Sequence, residues 1–225
     1  MISLYHKSKG KLHICEDSMT SHVFDLMKYL PVELFWSIMK NSLYQDKLPD
    51  YSGEIQNILF WEKWNADKTD NSRFVEPDLF LRFKNFDIII EAKRYDDFQQ
   101  IEQQHKAQMQ SYINVFEKDK KQLFYIQLGG LHNKDNVPNK IFNNHEIIIC
   151  KSDWSNILTQ IVKEKENLEN VNLSSLVPCK RILEDLIIGF ELHQFYKKSW
   201  LETLKISAEL QTQNINQLFP YVKRN

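Results

Sequence analysis

Within the stretch EPDLFLRFKNFDIIIEAKRY, residues 76–95, two carboxylates and an amine stand where apolar runs begin and end. Asp78 opens the first run, and Glu91 and Lys93 close the second, directly after Ile88-Ile89-Ile90. In a strand, residues two apart share a face, so Glu91 and Lys93 point the same way and Ala92 turns to the other side. If the two runs pair antiparallel around Lys84-Asn85, Asp78 lies across from Glu91. Two partly desolvated carboxylates so placed repel each other, and one takes up a proton. A divalent cation relieves that repulsion, and oxygen-only ligation favours Mg²⁺ or Mn²⁺. Lys93 can then hold an activated water or steady the charge on an attacked phosphate. Acid, acid, metal and lysine together suit hydrolysis of a phosphodiester.

Each element alone is cheap, because the chain repeats both elsewhere. A second Pro-Asp occurs at Pro49-Asp50, in a loop, and a second acid-x-Lys at Asp119-Lys120-Lys121, in a charged run. The order of the three residues, the short gap across a hairpin and the Ile run before Glu91 set the first group apart.

The elements that must position these residues follow from periodicity. Near Glu16, the segment EDSMTSHVFDLMKYL predicts a helix capped by Asp17, Ser18 or Thr20, with Val23, Leu26, Met27 and Leu30 as its apolar stripe. Pro31 fits the first turn of a second helix. Strands are predicted at about 55–64, 78–83 and 86–93, then a helix from Asp96 to Glu117 that buries Ile101, Met109, Ile113 and Phe116. QLFYIQLGG and HEIIICK predict two more strands, and a helix capped by Ser152 or Asp153 follows. From about residue 174 the spacing of Ile182, Leu183, Leu186, Ile187 and Phe190 is helical again. The expected fold is α/β: a mixed domain over residues 1–170 and a helical C-terminal extension over 171–225.

Bulk properties narrow the setting. The 225 residues include 42% hydrophobic side chains, enough for a sizeable core, and carry a net charge of −1. A polyanion must therefore be held by local cations, since the whole-molecule field does not attract it. Candidate basic clusters are Lys118–Lys121, Lys197-Lys198 and Lys223-Arg224. Three widely spaced cysteines, Cys15, Cys150 and Cys179, read as free thiols of a reducing compartment. With neither a signal-peptide core nor an apolar run of membrane-spanning length, the expected location is cytoplasmic, with no membrane partner. Gly129-Gly130 lacks the lysine and helix start of a nucleotide-binding loop, so ATP use is not expected.

Pro77-Asp78 followed by Glu91-Ala92-Lys93 resembles the PD-(D/E)xK nuclease superfamily, whose core is the restriction-endonuclease-like fold. Gln108 and Tyr112, four apart on one helical face, are similar to the QxxxY motif of its RecB-like branch. The resemblance covers about residues 55–150. It implies a central mixed sheet of about five strands flanked by helices. It also implies Asp78 and Glu91 as metal ligands with the Ala92 carbonyl, and Lys93 in catalysis, with Gln108 and Tyr112 supporting the site. Many members add an acid from the first helix, for which Glu16 is the candidate and Glu33 the alternative. The implied cofactor is Mg²⁺ or Mn²⁺ and the implied partner nucleic acid, DNA ahead of RNA, in a setting such as restriction or phage defence. Oligomeric state stays open. The competing expectation is a nuclease-fold protein that no longer cleaves and acts as a nucleic-acid-binding or assembly module.

Overall fold

Ile88-Ile89-Ile90 sits in the middle of a strand, Phe86–Ala92, that is buried along its whole length. Full burial of each such side chain is worth about 1.5–3 kcal/mol, which draws this run to the centre of the sheet. In a computed structural model, the described residues are 2–196 except 72, 96–98, 143 and 172. The element order is α1 (Ile2–His6), α2 (Glu16–Met27), α3 (Val32–Asn41), β1 (Ile55–Phe60), β2 (Trp64–Asn65), β3 (Phe74–Val75), β4 (Leu79–Phe83), β5 (Phe86–Ala92), α4 (Glu102–Phe116), β6 (Gln122–Leu128), β7 (Lys140–Phe142), β8 (His145–Ser152), α5 (Trp154–Glu169) and α6 (Val177–Leu192).

The chain is α/β. Six strands form one mixed sheet in the order β1-β4-β5-β6-β8-β7, and β2 pairs with β3 separately. β4 runs antiparallel to both its neighbours, β1 and β5, with Leu79 opposite Ile90 across the expected hairpin. β5, β6 and β8 are parallel, and β7 closes the edge antiparallel to β8. Where about five strands were expected, β7 is the addition. It is three residues long inside a loop rich in Asn and Lys, too short for an alternating pattern to register.

The pleat of β5 divides the core. Ile88, Ile90 and Ala92 face a cluster shared with α2, α3, α5 and α6 through Val23, Phe35, Trp154 and Phe190. Ile89 faces a smaller one with Met109, Tyr112 and Tyr125, under α4. Because residues two apart share a face, Asp87, Glu91 and Lys93 belong to the α4 side.

Several boundaries differ from expectation. The cap of α2 is Cys15, whose Sγ accepts from the Ser18 N–H while Ser18 Oγ accepts from the Cys15 N–H. Pro31 is the N-cap of α3 instead of its first helical residue. α4 starts at Glu102, six residues later than predicted. Gln99 and Gln100 give their N–H groups to the Gly130 carbonyl, so that backbone is committed to tertiary pairing instead of helix. Ile101, placed inside by periodicity, is 56% exposed for the same reason. Asp153 caps α5 by accepting from the Asn156 N–H at 2.7 Å.

The domain boundary expected at 170 falls inside one compact unit, Met1–Phe195. Leu183, Leu186 and Phe190 of α6 are fully buried in the larger cluster, so this helix completes the core. A second unit, Tyr196–Asn225, lies outside the described residues beyond Tyr196, and with it the expected continuation of the helical extension. Cys15, Cys150 and Cys179 are free. Among the described residues no helix is long and apolar enough to cross a membrane.

Candidate metal centre

The Leu79–Ile90 register carries Asp78 to the position across from Glu91. Asp78 Oδ2 accepts from the Ala92 N–H at 2.8 Å, so the first acid is anchored to the backbone between Glu91 and Lys93. Ala92 thus meets Asp78 through its backbone N–H. Glu91 is fully buried, and each of its oxygens has a donor: Lys93 Nζ on Oε1 and Gln108 Nε2 on Oε2, the latter at 2.6 Å. The Tyr125 hydroxyl donates to Gln108 Oε1, which turns the amide so that its NH₂ faces Glu91.

The N-terminus of α2 supplies the other side. Its first residue, Glu16, accepts from Lys93 Nζ at 3.2 Å, so the ammonium bridges Glu16 and Glu91. Asp17 follows on the same turn, and one carboxylate oxygen each from Glu16, Asp17 and Asp78 lie within 4.8 Å of one another. Acids at helix N-termini are also favoured by the macrodipole, so this turn tolerates two of them.

These are all-oxygen donors at a spacing that a small hard cation spans, which fits Mg²⁺ or Mn²⁺. Among the described residues the structure gathers Glu16, Asp17 and Asp78, whereas Asp78 with Glu91, and Glu16 as a further acid, were expected. Glu91 stands behind them with both oxygens engaged, although each carboxylate oxygen keeps a second lone pair.

Electrostatics agree with this crowding. Burial pushes the Asp78 pKa up, and the Glu91 charge pushes it further, against the Ala92 hydrogen bond and Lys93. Glu91 is also raised, burial outweighing the pull of Lys93 and Gln108. For Lys93 burial favours the neutral amine, but the charges of Glu91, Asp78 and Glu16 together outweigh it and the pKa is raised. The lysine is thus a charged donor at neutral pH, held among acids that lack full compensation.

Surrounding groups lock the strand end. The Lys93 N–H donates to the Leu128 carbonyl at 2.7 Å, and the Trp154 indole N–H donates to the Lys93 carbonyl at 2.8 Å. Gly129 has φ +68°, and a Cβ there would stand 2.1 Å from the Lys93 oxygen, so only glycine allows this approach. Gly129-Gly130, which lacks the marks of a nucleotide loop, serves instead to seat Lys93. Gln100 Nε2 donates to the carbonyls of Glu91 and Gly129, and His105 with Gln127 completes that chain of contacts.

Of the residues expected at the site, the structure brings together Asp78, Glu91, Lys93, Gln108 and Glu16. Tyr112 is not among them. Its hydroxyl donates to Asp87 Oδ2 at 3.1 Å, in a buried cluster with Arg82 and Lys121 at the start of β5. The physical reason is that α4 runs antiparallel to β5, so one helical turn beyond Gln108 leads back along the strand. Glu33, the alternative acid, lines a separate cavity of about 1090 Å³ beside α3 and β1. Lys121, from one of the basic clusters, is engaged by Asp87, while Lys197-Lys198 and Lys223-Arg224 lie outside the described residues.

Asp17, Gln100, Tyr125 and Trp154 were missed as site residues. Asp17 carried a signal, its adjacency to Glu16, but reads equally as a cap. Gln100, Tyr125 and Trp154 carry none, because each reaches the site across a strand or loop that only folding brings near.

No family model matches the chain, and no solved structure matches it. It is 31% identical over 207 residues to a protein of Pasteurella multocida (strain Pm70) described as Uncharacterized protein PM0110, covering 87% of this chain and 77% of that protein. With that identity over most of both lengths, the chain belongs to the same protein family as PM0110.

Proposed function

We propose that the chain is a divalent-metal-dependent nuclease with a restriction-endonuclease-like core, hydrolysing phosphodiester bonds, of DNA in the first place. One observation carries this reading: the Lys93 ammonium lies between Glu91 and Glu16, beside the gathered oxygens of Glu16, Asp17 and Asp78. A scaffold gains nothing from such a group, since like charges brought together and desolvated destabilise the fold.

A bound Mg²⁺ or Mn²⁺ supplies charge neutralisation at the attacked phosphate and a more acidic water. Glu16, Asp17 and Asp78 would hold it, with Glu91 and the Ala92 carbonyl adjoining. Lys93 keeps its proton and donates to the attacking water or to a phosphate oxygen as negative charge builds there. Gln108 and Tyr125 orient Glu91, which in turn aims Lys93.

The test is cleavage of circular and linear DNA, with an RNA control, in Mg²⁺ and Mn²⁺, comparing wild type with Lys93→Ala. Cleavage by wild type, reduced by about 10²-fold or more in the variant, is expected from losing one charged donor to the transition state. Absence of cleavage by wild type on every substrate, or equal cleavage by both proteins, overturns the reading.

A further inference from the structure

The first turn of α2, which presents Glu16 and Asp17, has a weak cap. Its N-cap is Cys15, and a thiol is a poor acceptor compared with the Ser, Thr, Asp or Asn that usually serve there. The Ser18 N–H reaches Cys15 Sγ at 3.4 Å, an ordinary distance for sulfur, so the weakness of the cap lies in the acceptor and not in the length. Ser18 Oγ adds to the cap by accepting from the Cys15 N–H at 3.0 Å, and it lies 3.0 Å from the Cys15 carbonyl as well, so the turn depends on where that hydroxyl is held and to which acceptor it gives its proton.

It is held from 175 residues away. His193, the C-cap of α6, is fully buried, and its Nε2 lies 3.0 Å from Ser18 Oγ. Its Nδ1 lies 2.8 Å from the Gly189 carbonyl, a pure acceptor, so Nδ1 carries the proton and Nε2 is left to accept from the serine, competing with the Cys15 carbonyl, also 3.0 Å away, for its one hydroxyl proton. The His193 carbonyl in turn accepts from Arg94 Nη2 at 3.3 Å, and Arg94 is the neighbour of Lys93. One residue thereby touches both halves of the site: its ring reaches the turn bearing Glu16 and Asp17, its carbonyl the segment bearing Lys93. The helix beneath it is seated by Phe190, which packs against Trp154, the donor to the Lys93 carbonyl, with ring centroids 6.3 Å apart.

We propose that His193 is a positioning residue: through Ser18 it sets the first turn of α2 so that Glu16 and Asp17 meet Asp78 at metal-binding distance. This gives α6 a functional task beyond filling the core, and it rests on the metal reading above. Partners that orient ligands without touching the ion are typically worth about 10–100-fold in metal affinity.

The experiment is Mn²⁺ titration by calorimetry on the full chain, for wild type, His193→Ala, Ser18→Ala, the double variant and His193→Gln, with thermal unfolding in EDTA as the fold control. Both single variants should bind Mn²⁺ about 10-fold or more weakly. The double variant should be no weaker than the poorer single, because both cut the same link. Glutamine, whose amide can still reach Ser18, should restore most of the affinity. If His193→Ala does not fold, Ser18→Ala carries the same expectation and leaves α6 intact. Wild-type affinity in a folded His193→Ala or Ser18→Ala protein overturns the positioning role alone. Mn²⁺ binding by wild type that Glu16→Ala and Asp78→Asn leave unchanged, or no binding at all, removes the metal reading and this role together.

Discussion

Gln108 and Tyr112 share one face of α4 yet serve opposite ends of β5: Gln108 donates to Glu91 at 2.6 Å, and Tyr112 donates to Asp87 at 3.1 Å. Asp87 and Glu91 are four apart in sequence, as are Gln108 and Tyr112, and the contacts pair them in the opposite order. A motif that is a single unit in sequence is thus divided between the candidate centre and a buried ion cluster.

That division makes the two side chains separable by mutation. Tyr112→Phe removes one neutral donor from Asp87 while Arg82 and Lys121 remain, so it should cost about 1 kcal/mol of stability in urea unfolding. Its cleavage rate should match wild type. Gln108→Leu should instead lower cleavage, since it frees Glu91 to turn away from Lys93. A folded Tyr112→Phe protein that cleaves much more slowly would return the tyrosine to the site.

Asp78→Asn separates stability from activity. The side chain sits near Glu91 under conditions that favour its neutral form, and asparagine keeps an oxygen for the Ala92 N–H. Metal-free thermal stability should rise, by on the order of 1 kcal/mol, while Mn²⁺ stabilisation and cleavage are lost. A variant that is clearly less stable in EDTA than wild type would mean that the carboxylates are compensated within the apo fold.

His105 should leave a mark on the pH dependence of folding. Burial, helped by the charges of Lys140 and Lys93, pushes its pKa down to about 4, below the value of about 6.5 in an unfolded chain. Between those values the unfolded state binds the extra proton, so stability is complete above the higher value and falls as pH drops toward the lower. The loss should be on the order of 2–3 kcal/mol at most. Urea midpoints from pH 7 to pH 4 should show a slope that His105→Gln reduces. An unchanged slope would assign the acid sensitivity to other groups.

Much of this protein was legible before folding. The alternation around Ile88-Ile89-Ile90 placed Glu91 and Lys93 on one face, and the Lys84-Asn85 turn placed Asp78 opposite. Both are local consequences of strand geometry and a two-residue connection, as are the Asp153 cap of α5 and the apolar stripes of α2 and α6. Local signals failed where a backbone group had a distant partner. Gln99 and Gln100 belong to a helical pattern but pair with Gly130, and Leu183, Leu186 and Phe190 read as an extension but fill the main core.

What the sequence by itself determined is the strand half of the site, with its acids and lysine, because a period of two residues is enough to specify a shared face. Only the tertiary structure decided which distant groups complete it: Glu16 with Asp17 in place of Glu33, Gln108 without Tyr112, and His193 behind Ser18. Those choices depend on the direction in which α4 returns along β5 and on where α2 and α6 pack. Both are set by burial across the two faces of the sheet, which no window of neighbouring residues encodes.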